Sequence, residues 1–162
     1  MAVRTDWSHS PCPIARSANV LADPWVVLIL REAFRGRTRF AEFREELGVA
    51  DNVLSARLAT MVEHGLLVKV PYRGSRRTHD GYGLSDAGAQ TLPVVQAMLL
   101  WGGKHTSSPV DSGLRIIHLV CGGVSDRAEK CSACGEELMP GEVGWQRTWL
   151  GEPPTVLTRT HC

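Results

Sequence analysis

The stretch from Thr38 to Leu84 constrains this chain more than any other part of it. TRFAEFREELG and VADNVLSARLATMVEHGLL each place apolar residues at helical spacing, with a glycine near the end of each. VKVPYRGSRRTHDGYGL follows, two short strand-like runs flanking a turn rich in glycine and arginine. Two short amphipathic helices joined tightly, then a basic hairpin, is the element order of a winged helix-turn-helix. The expected fold class is therefore mainly α with a small β-hairpin wing (α+β), and the expected ligand is double-stranded DNA.

The flanks extend this frame. A first helix is expected from near Cys12 to about Leu21, with Pro13 where a missing N–H costs nothing. Asp23 is placed to cap a second helix, with Pro24 at its first position. The run from Trp25 to Leu30 is apolar on nearly every face, which marks a central helix that Gly36 ends. Thr38 is expected to cap the third helix, with Phe40, Phe43 and Leu47 inward and Gly48 as its left-handed stop. Asp51 or Asn52 is expected to cap the fourth, whose inner stripe is Leu54, Leu58, Met61 and Val62. A strand over Leu66–Tyr72, a turn from Arg73 to Gly81 and a return strand from Tyr82 make the hairpin. Ser85 then caps one long helix to about Trp101, kinked at Pro93. Its late apolar residues, Met98, Leu99 and Trp101, call for a second subunit.

Charge is distributed to match. The chain of 162 residues carries a net charge of only +1, yet residues 31–77 hold ten of its eighteen Lys and Arg and six of its seventeen Asp and Glu. A local basic patch is what phosphate binding requires, whatever the total. Arg37 and Arg39 flank the start of the third helix and Arg57 lies beside the inner stripe of the fourth; with Arg73, Arg76 and Arg77 they are candidate phosphate contacts. Asn52, Ser55, Ala56 and Thr60 form a small, polar outer face on the fourth helix, able to approach a groove closely and meet base edges. Of the isolated histidines His9, His64, His79 and His105, His79 at the hairpin is the one placed to touch phosphate, and none suggests catalysis.

From Cys12 to Trp101 the chain resembles the HxlR family of bacterial winged-helix transcriptional regulators. The resemblance rests on CPIAR from Cys12, PWVVLILR from Pro24, GRTRF from Gly36, NVLSARL from Asn52, GLL from Gly65, LSDAG from Leu84 and LPV from Leu92. It implies a homodimer held by the N- and C-terminal helices, a roughly palindromic operator and a change in transcription. The hairpin departs from the family pattern: Ser75-Arg-Arg-Thr-His-Asp-Gly-Tyr82 stands where members place a proline and an Arg-x-Glu-Tyr, the tip reads as slightly longer, and Gly81 replaces the acid. A cysteine at the place of Cys12 is a redox sensor in several members. The helix dipole and Arg16 one turn on favour its thiolate, so an oxidant or small-molecule effector is a further expected partner.

His118 and Cys121, then Cys131 and Cys134, are two ligand pairs at two-residue spacing, followed by Gly135. Three thiolates and an imidazole match a closed, tetrahedral structural zinc site in a zinc-ribbon-like module. A redox Cys-x-x-Cys or a thiol cluster without metal are the alternatives. His161 and Cys162 are expected to have no role.

The division expected is a DNA-binding and dimerisation domain over 1–105, a Ser/Pro/Gly-rich linker over 106–114, and the extension with an irregular tail over 115–162. No apolar run reaches bilayer length and MAVRTDWSHSPCP carries no signal-type segment, so a cytoplasmic protein without a membrane partner is expected. Two rivals to a transcriptional regulator remain: a thiol-disulfide redox protein using Cys131 and Cys134, and a zinc-ribbon adaptor that docks on protein. No Ser/His/Asp set, phosphate-cradling glycine loop or paired carboxylates stand beside the cysteines, so no enzyme is expected.

Overall fold

The computed structural model describes residues 6–110, 113–158 and 160; His161 and Cys162 lie outside the described residues. Pro13 and Pro24 sit in the first turns of α1 (Pro13–Leu21) and α2 (Pro24–Phe34), and Asp23 caps α2 by accepting from the Trp25 N–H at 2.9 Å. Val26, Ile29, Leu30, Ala33 and Phe34 of α2 are buried, so α2 is the central helix that its all-round apolarity predicts. Gly36, at φ +89°, turns the chain out of it.

The tight pair is α3 (Phe40–Leu47) and α4 (Asp51–Glu63), packed through Phe43, Leu54, Leu58 and Met61. Both caps differ from expectation. Arg39, not Thr38, is the N-cap of α3; the Glu42 carboxylate accepts from the N–H groups of both Thr38 and Arg39, each at 2.9 Å. The glutamate reaches back from the first turn and satisfies these two donors itself. Ala50 is the N-cap of α4, with no side-chain cap, and Asp51 is the first helical residue, its charge in the first turn complementing the helix dipole.

β1 (Leu67–Arg73) and β2 (Thr78–Leu84) pair antiparallel from Leu67↔Leu84 to Arg73↔Thr78. The tip comprises residues 74–77, shorter than the expected turn from Arg73 to Gly81, and is closed by the Gly74 N–H on the Arg77 carbonyl. Thr78, His79 and Asp80 look like turn residues by type, but an exposed ladder needs only their backbones.

The expected long helix is two. Ser85 caps α5 (Asp86–Ala89), accepting from the Gly88 N–H, and α6 (Leu92–His105) begins anew after Gln90 and Thr91. Pro93 cannot donate to the Ala89 carbonyl four residues back, so the helix breaks and restarts with the proline in its first turn, and no kink forms.

Beyond residue 113, β3 (Leu114–His118), β4 (Val124–Ser125), β5 (Val143–Arg147) and β6 (Thr155–Val156) make an antiparallel sheet in the order β4-β3-β5-β6. The tail from Glu152 is thus not irregular; it returns as an edge strand and buries Leu157 completely. The sheet leans on the helices. Phe34 and Trp145 meet edge to face with centroids 6.2 Å apart, and the Thr158 N–H donates to the Phe34 carbonyl at 2.7 Å. One apolar core includes Val26 and Phe34 together with Ile116, Val143, Trp145 and Leu157. Among the described residues no single helix is long and apolar enough to cross a membrane.

Candidate nucleic-acid interface and metal centre

The inner stripe of α4 turns its opposite face outward. Asn52, Ser55, Ala56 and Ala59 are exposed, and Thr60 is half-buried with its hydroxyl donating to the Ala56 carbonyl at 3.0 Å. Among the described residues, the side chains of Asn52 and Ser55 have no hydrogen-bond partner. The face is shallow because its residues are small, which suits insertion into a groove.

The basic residues separate into two groups. Arg73, Arg76 and Arg77 are exposed on the hairpin and have no acidic partner among the described residues. Arg39 is exposed too, its guanidinium 4.8 Å from the Tyr72 ring centre, and Tyr72 stacks in turn on His79 at 5.5 Å. His79 therefore stands behind the hairpin tip, in a stack that spans the start of α3 and the wing. Arg37 and Arg57 are engaged internally. Arg37 pairs with Glu46 on α3, and Arg57 Nε lies 2.8 Å from Asp23 Oδ2 without the alignment of a hydrogen bond. Arg37 ties the α2–α3 loop to α3 and Arg57 ties α4 to the N-cap of α2, and phosphate would have to compete with a carboxylate for each.

Wing and helix pair are docked by backbone. The Tyr82 N–H donates to the Thr38 carbonyl at 2.7 Å, and a Cβ at Gly81 would lie 2.8 Å from that same oxygen. Only glycine lets the strand come so close. The absence of the acid expected at this position thus has a steric reason.

The second constellation lies at one end of the extension's sheet. His118 ends β3, Cys121 follows in a turn, and Cys131 and Cys134 come from the next turn. All four donor atoms lie within 4.8 Å of one another, which suits them to hold one metal ion. Cys121 Sγ is 3.4 Å from His118 Nδ1 and 3.7 Å from Cys131 Sγ; Cys134 Sγ is 3.3 Å from His118 Nδ1. Gly122 at φ +71° and Gly135 at φ +81° shape the two knuckles, and the Gly135 N–H closes the second on the Cys131 carbonyl. No helix follows Cys131–Cys134, so the helix-start geometry of a redox Cys-x-x-Cys is absent there.

Within this cluster the neighbours push the Cys131 and Cys134 thiols in opposite directions. Burial pushes the Cys131 thiol up, but the N–H groups of Cys134 and Ala133 and the Cys121 side chain outweigh it and bring it down to about 7. At Cys134 the Glu136 N–H pulls down, while desolvation and the neighbouring Cys121 and Cys131 push up and prevail. A cation shared by the three sulfurs removes that conflict by ionising them all.

Cys12 stands apart from the cluster, exposed at the N-cap of α1. Arg16 does not turn to it: its Nη1 donates to the carbonyls of Ser10 and Pro11 at 2.6 and 3.0 Å.

The family model of the HxlR-like helix-turn-helix matches residues 20–109, which takes in α2 through α6. The chain belongs to the HxlR-like family. An uncharacterised HTH-type transcriptional regulator of Mycobacterium tuberculosis, Rv3095, is 34% identical over 130 residues, covering 80% of this chain and 82% of that one. Another, from Synechocystis, is 31% identical over 88 residues, 54% of this chain and 64% of its own. Among solved structures, the candidate transcription factor PA1607 superposes with a TM-score of 0.69 at 37% identity, over 83% of this chain and 93% of the other. The redox regulator HypR in its oxidised form shares the fold, with a TM-score of 0.55 at 22% identity over 60% of this chain and 100% of its own. The HxlR-like protein is accordingly a transcriptional regulator with a helix-turn-helix DNA-binding domain and DNA as its partner, not an enzyme.

Three features of this HxlR-like chain escaped sequence reading. The Arg39–Tyr72–His79 stack had only aromatic residues in a polar hairpin as its signal. Glu32 and Gln96 gave none: both are polar residues in helical patterns, yet both are wholly buried. Each is buried because it has partners waiting, Arg31 and Arg35 for Glu32, Trp145 and Ala128 for Gln96.

Proposed function

We propose that this regulator binds a roughly palindromic operator as a homodimer, with α4 in the major groove and the hairpin wing on phosphate along the adjoining minor groove. One observation carries the reading: among the described residues, the small, polar face of α4 at Asn52, Ser55 and Ala56 has no partner, alongside Arg39, Arg73, Arg76 and Arg77, which have no acidic partner. In this reading Asn52, Ser55, Ala56 and Thr60 meet base edges, and the arginines set register on phosphates, Arg37 and Arg57 from within their ion pairs. The dimer is supported by the apolar residues exposed together on α1 and α6, Ile14, Val94, Met98 and Trp101. Residues 1–105 then form the DNA-binding and dimerisation part and 115–162 the extension, in a cytoplasmic protein.

The metal is zinc, held structurally by His118, Cys121, Cys131 and Cys134. Zinc–sulfur bonds of about 2.3 Å and zinc–nitrogen bonds of about 2.0 Å, arranged tetrahedrally, separate two sulfurs by about 3.8 Å and a sulfur from a nitrogen by about 3.5 Å. The distances of 3.7, 3.4 and 3.3 Å fit those edges. Bound there, zinc supplies a cross-link between the two knuckles. Cys12, exposed at a helix start, is the redox-sensing thiol of this reading, supported by a redox regulator among the fold's relatives.

Selection from a random duplex library tests the proposal. Enrichment of a two-fold symmetric site with half-sites about one helical turn apart is the expected result; recovery of unrelated duplexes, or of a single unrepeated half-site, overturns it.

A further inference from the structure

Arg31 stands where two clefts abut. On one side α2, α6 and the extension's sheet wall an apolar cleft of about 290 Å³, with Val27, Leu28, Leu99 and Gly103 in its lining. On the other a polar cleft of about 90 Å³ is lined by Arg31, Arg35, Arg147 and Glu152. Arg31, Leu114 and Trp145 line both.

The charges here are arranged around one buried anchor. Glu32, wholly buried, accepts from Arg31 Nε at 2.7 Å and from Arg35 Nη1 at 2.9 Å. That bond fixes the plane of the Arg31 guanidinium and leaves its two terminal nitrogens without a hydrogen-bond partner among the described residues. Arg35 is already committed to Glu32 and Glu46, and Glu46 also holds Arg37. Arg147 has no ion-pair partner among the described residues. Four guanidiniums thus meet three carboxylates, Glu32, Glu46 and Glu152, and a positive surplus remains at the mouth of an apolar cleft.

We infer that this junction binds a small amphipathic organic anion, its carboxylate on Arg31 and its apolar chain between α2 and α6. A planar carboxylate answers the two free nitrogens of a fixed guanidinium as a bidentate pair. At roughly 30 Å³ for each water-sized unit, the apolar cleft admits about ten heavy atoms, the size of a medium-chain fatty acid or a substituted aromatic acid. The inference rests on reading the chain as a ligand-switched regulator and gives that ligand a chemical class. It also supplies a route to DNA: an anion on Arg31 acts on Glu32, and through Arg35 and Glu46 on Arg37 at the start of the helix pair.

Octanoate and 1-octanol, titrated calorimetrically into the full chain, separate charge from apolar fit. Octanoate is expected to saturate one site per chain, with octanol about tenfold or more weaker. Arg31→Gln should bring octanoate down to the level of octanol and leave octanol unchanged. Because Arg31 also supports Glu32, a second variant avoids the ion pair: Gly103→Leu, at a position whose Cβ would meet nothing within 4 Å, fills the cleft and abolishes both ligands. Equal affinity for the two ligands, no octanoate binding, or an Arg31→Gln variant that binds octanoate as before overturns the inference. A second copy of the chain seated in the cleft gives the second of these results. Specific DNA binding measured on the same preparations keeps the two readings distinct: DNA binding without octanoate binding sinks only the ligand site, and the reverse sinks only the operator reading.

Discussion

Gln96 on α6 and Trp145 on β5 share a hydrogen bond of 3.3 Å, Nε1 of the indole donating to Oε1 of the amide. The other end of the same amide donates to the Ala128 carbonyl, so a single buried side chain ties the extension to the helix that follows the wing. Gln96→Leu keeps the volume and deletes both bonds, stranding a buried N–H and a carbonyl. Loss of about 2 kcal/mol or more in urea unfolding is expected. A variant as stable as the parent would show that the two parts do not depend on this tie.

Zinc removal should act on the same boundary. Purified without chelator, the protein is expected to carry one zinc per chain, and stripping it should lower the melting temperature. Because ligation requires all three thiolates, binding releases protons. Cys131 lies at about 7 without metal and Cys134 above its ordinary value of 9.0, so apparent affinity should rise steeply as pH climbs from about 6 and keep rising past about 9. Calorimetry in two buffers of different ionisation enthalpy reads the released protons. An enthalpy independent of buffer contradicts the site.

Glu42 gives acid sensitivity to the helix pair. Burial pushes its carboxyl up, but the N–H groups of Arg39 and Thr38, with the charges of Arg39 and Arg37, pull it below its ordinary 4.5. A depressed folded pKa contributes stability that is present above the unfolded value and is lost as pH falls through the folded one. Glu42→Gln should therefore cost about 1 kcal/mol at neutral pH, and the gap should close below about pH 4. A difference that stays constant from neutral pH to pH 3 would assign the effect to packing.

The stack under Arg39 is expected to set the wing. Tyr72→Leu removes the face on which Arg39 and His79 rest, and should weaken DNA binding about two- to fivefold with little loss of stability. Arg76→Ala, at an exposed side chain with no ion-pair partner among the described residues, should weaken specific and random duplexes alike and reduce the salt slope by about one. If either substitution impaired only the specific duplex, its residue would be reading bases.

Cys12 is tested through oxidant response. Diamide should change the DNA affinity of the parent, and Cys12→Ser should abolish that change while leaving the zinc content intact. An undiminished response in the variant assigns sensing elsewhere.

Elements governed by local rules were legible in the sequence: Asp23 and Pro24 start α2, Gly48 stops α3, and the Leu54–Leu58–Met61 stripe places α4. The ligand cluster was legible too, because two short turns suffice to converge each pair. What escaped depends on which of two competing local rules wins, or on partners met only in the fold. The α6 break follows from one missing N–H against Ala89, which competes with an otherwise unbroken apolar pattern. The hairpin's length is fixed by backbone pairing that residue types such as Thr78 and Asp80 argue against. Glu32 is held by Arg31 and Arg35, neighbours along its own helix that pattern alone does not single out, and Gln96 by an indole and a carbonyl that meet it only after folding.

Fluorescence anisotropy with a labelled duplex from upstream of the protein's own gene, against a shuffled duplex and over a series of salt concentrations, tests the central claim most directly. The account predicts nanomolar binding to the first, about 1,000-fold or more tighter than to the second at moderate salt, with affinity for both falling steeply as salt rises. Equal affinity for the two duplexes, or none for either at low salt, would contradict it.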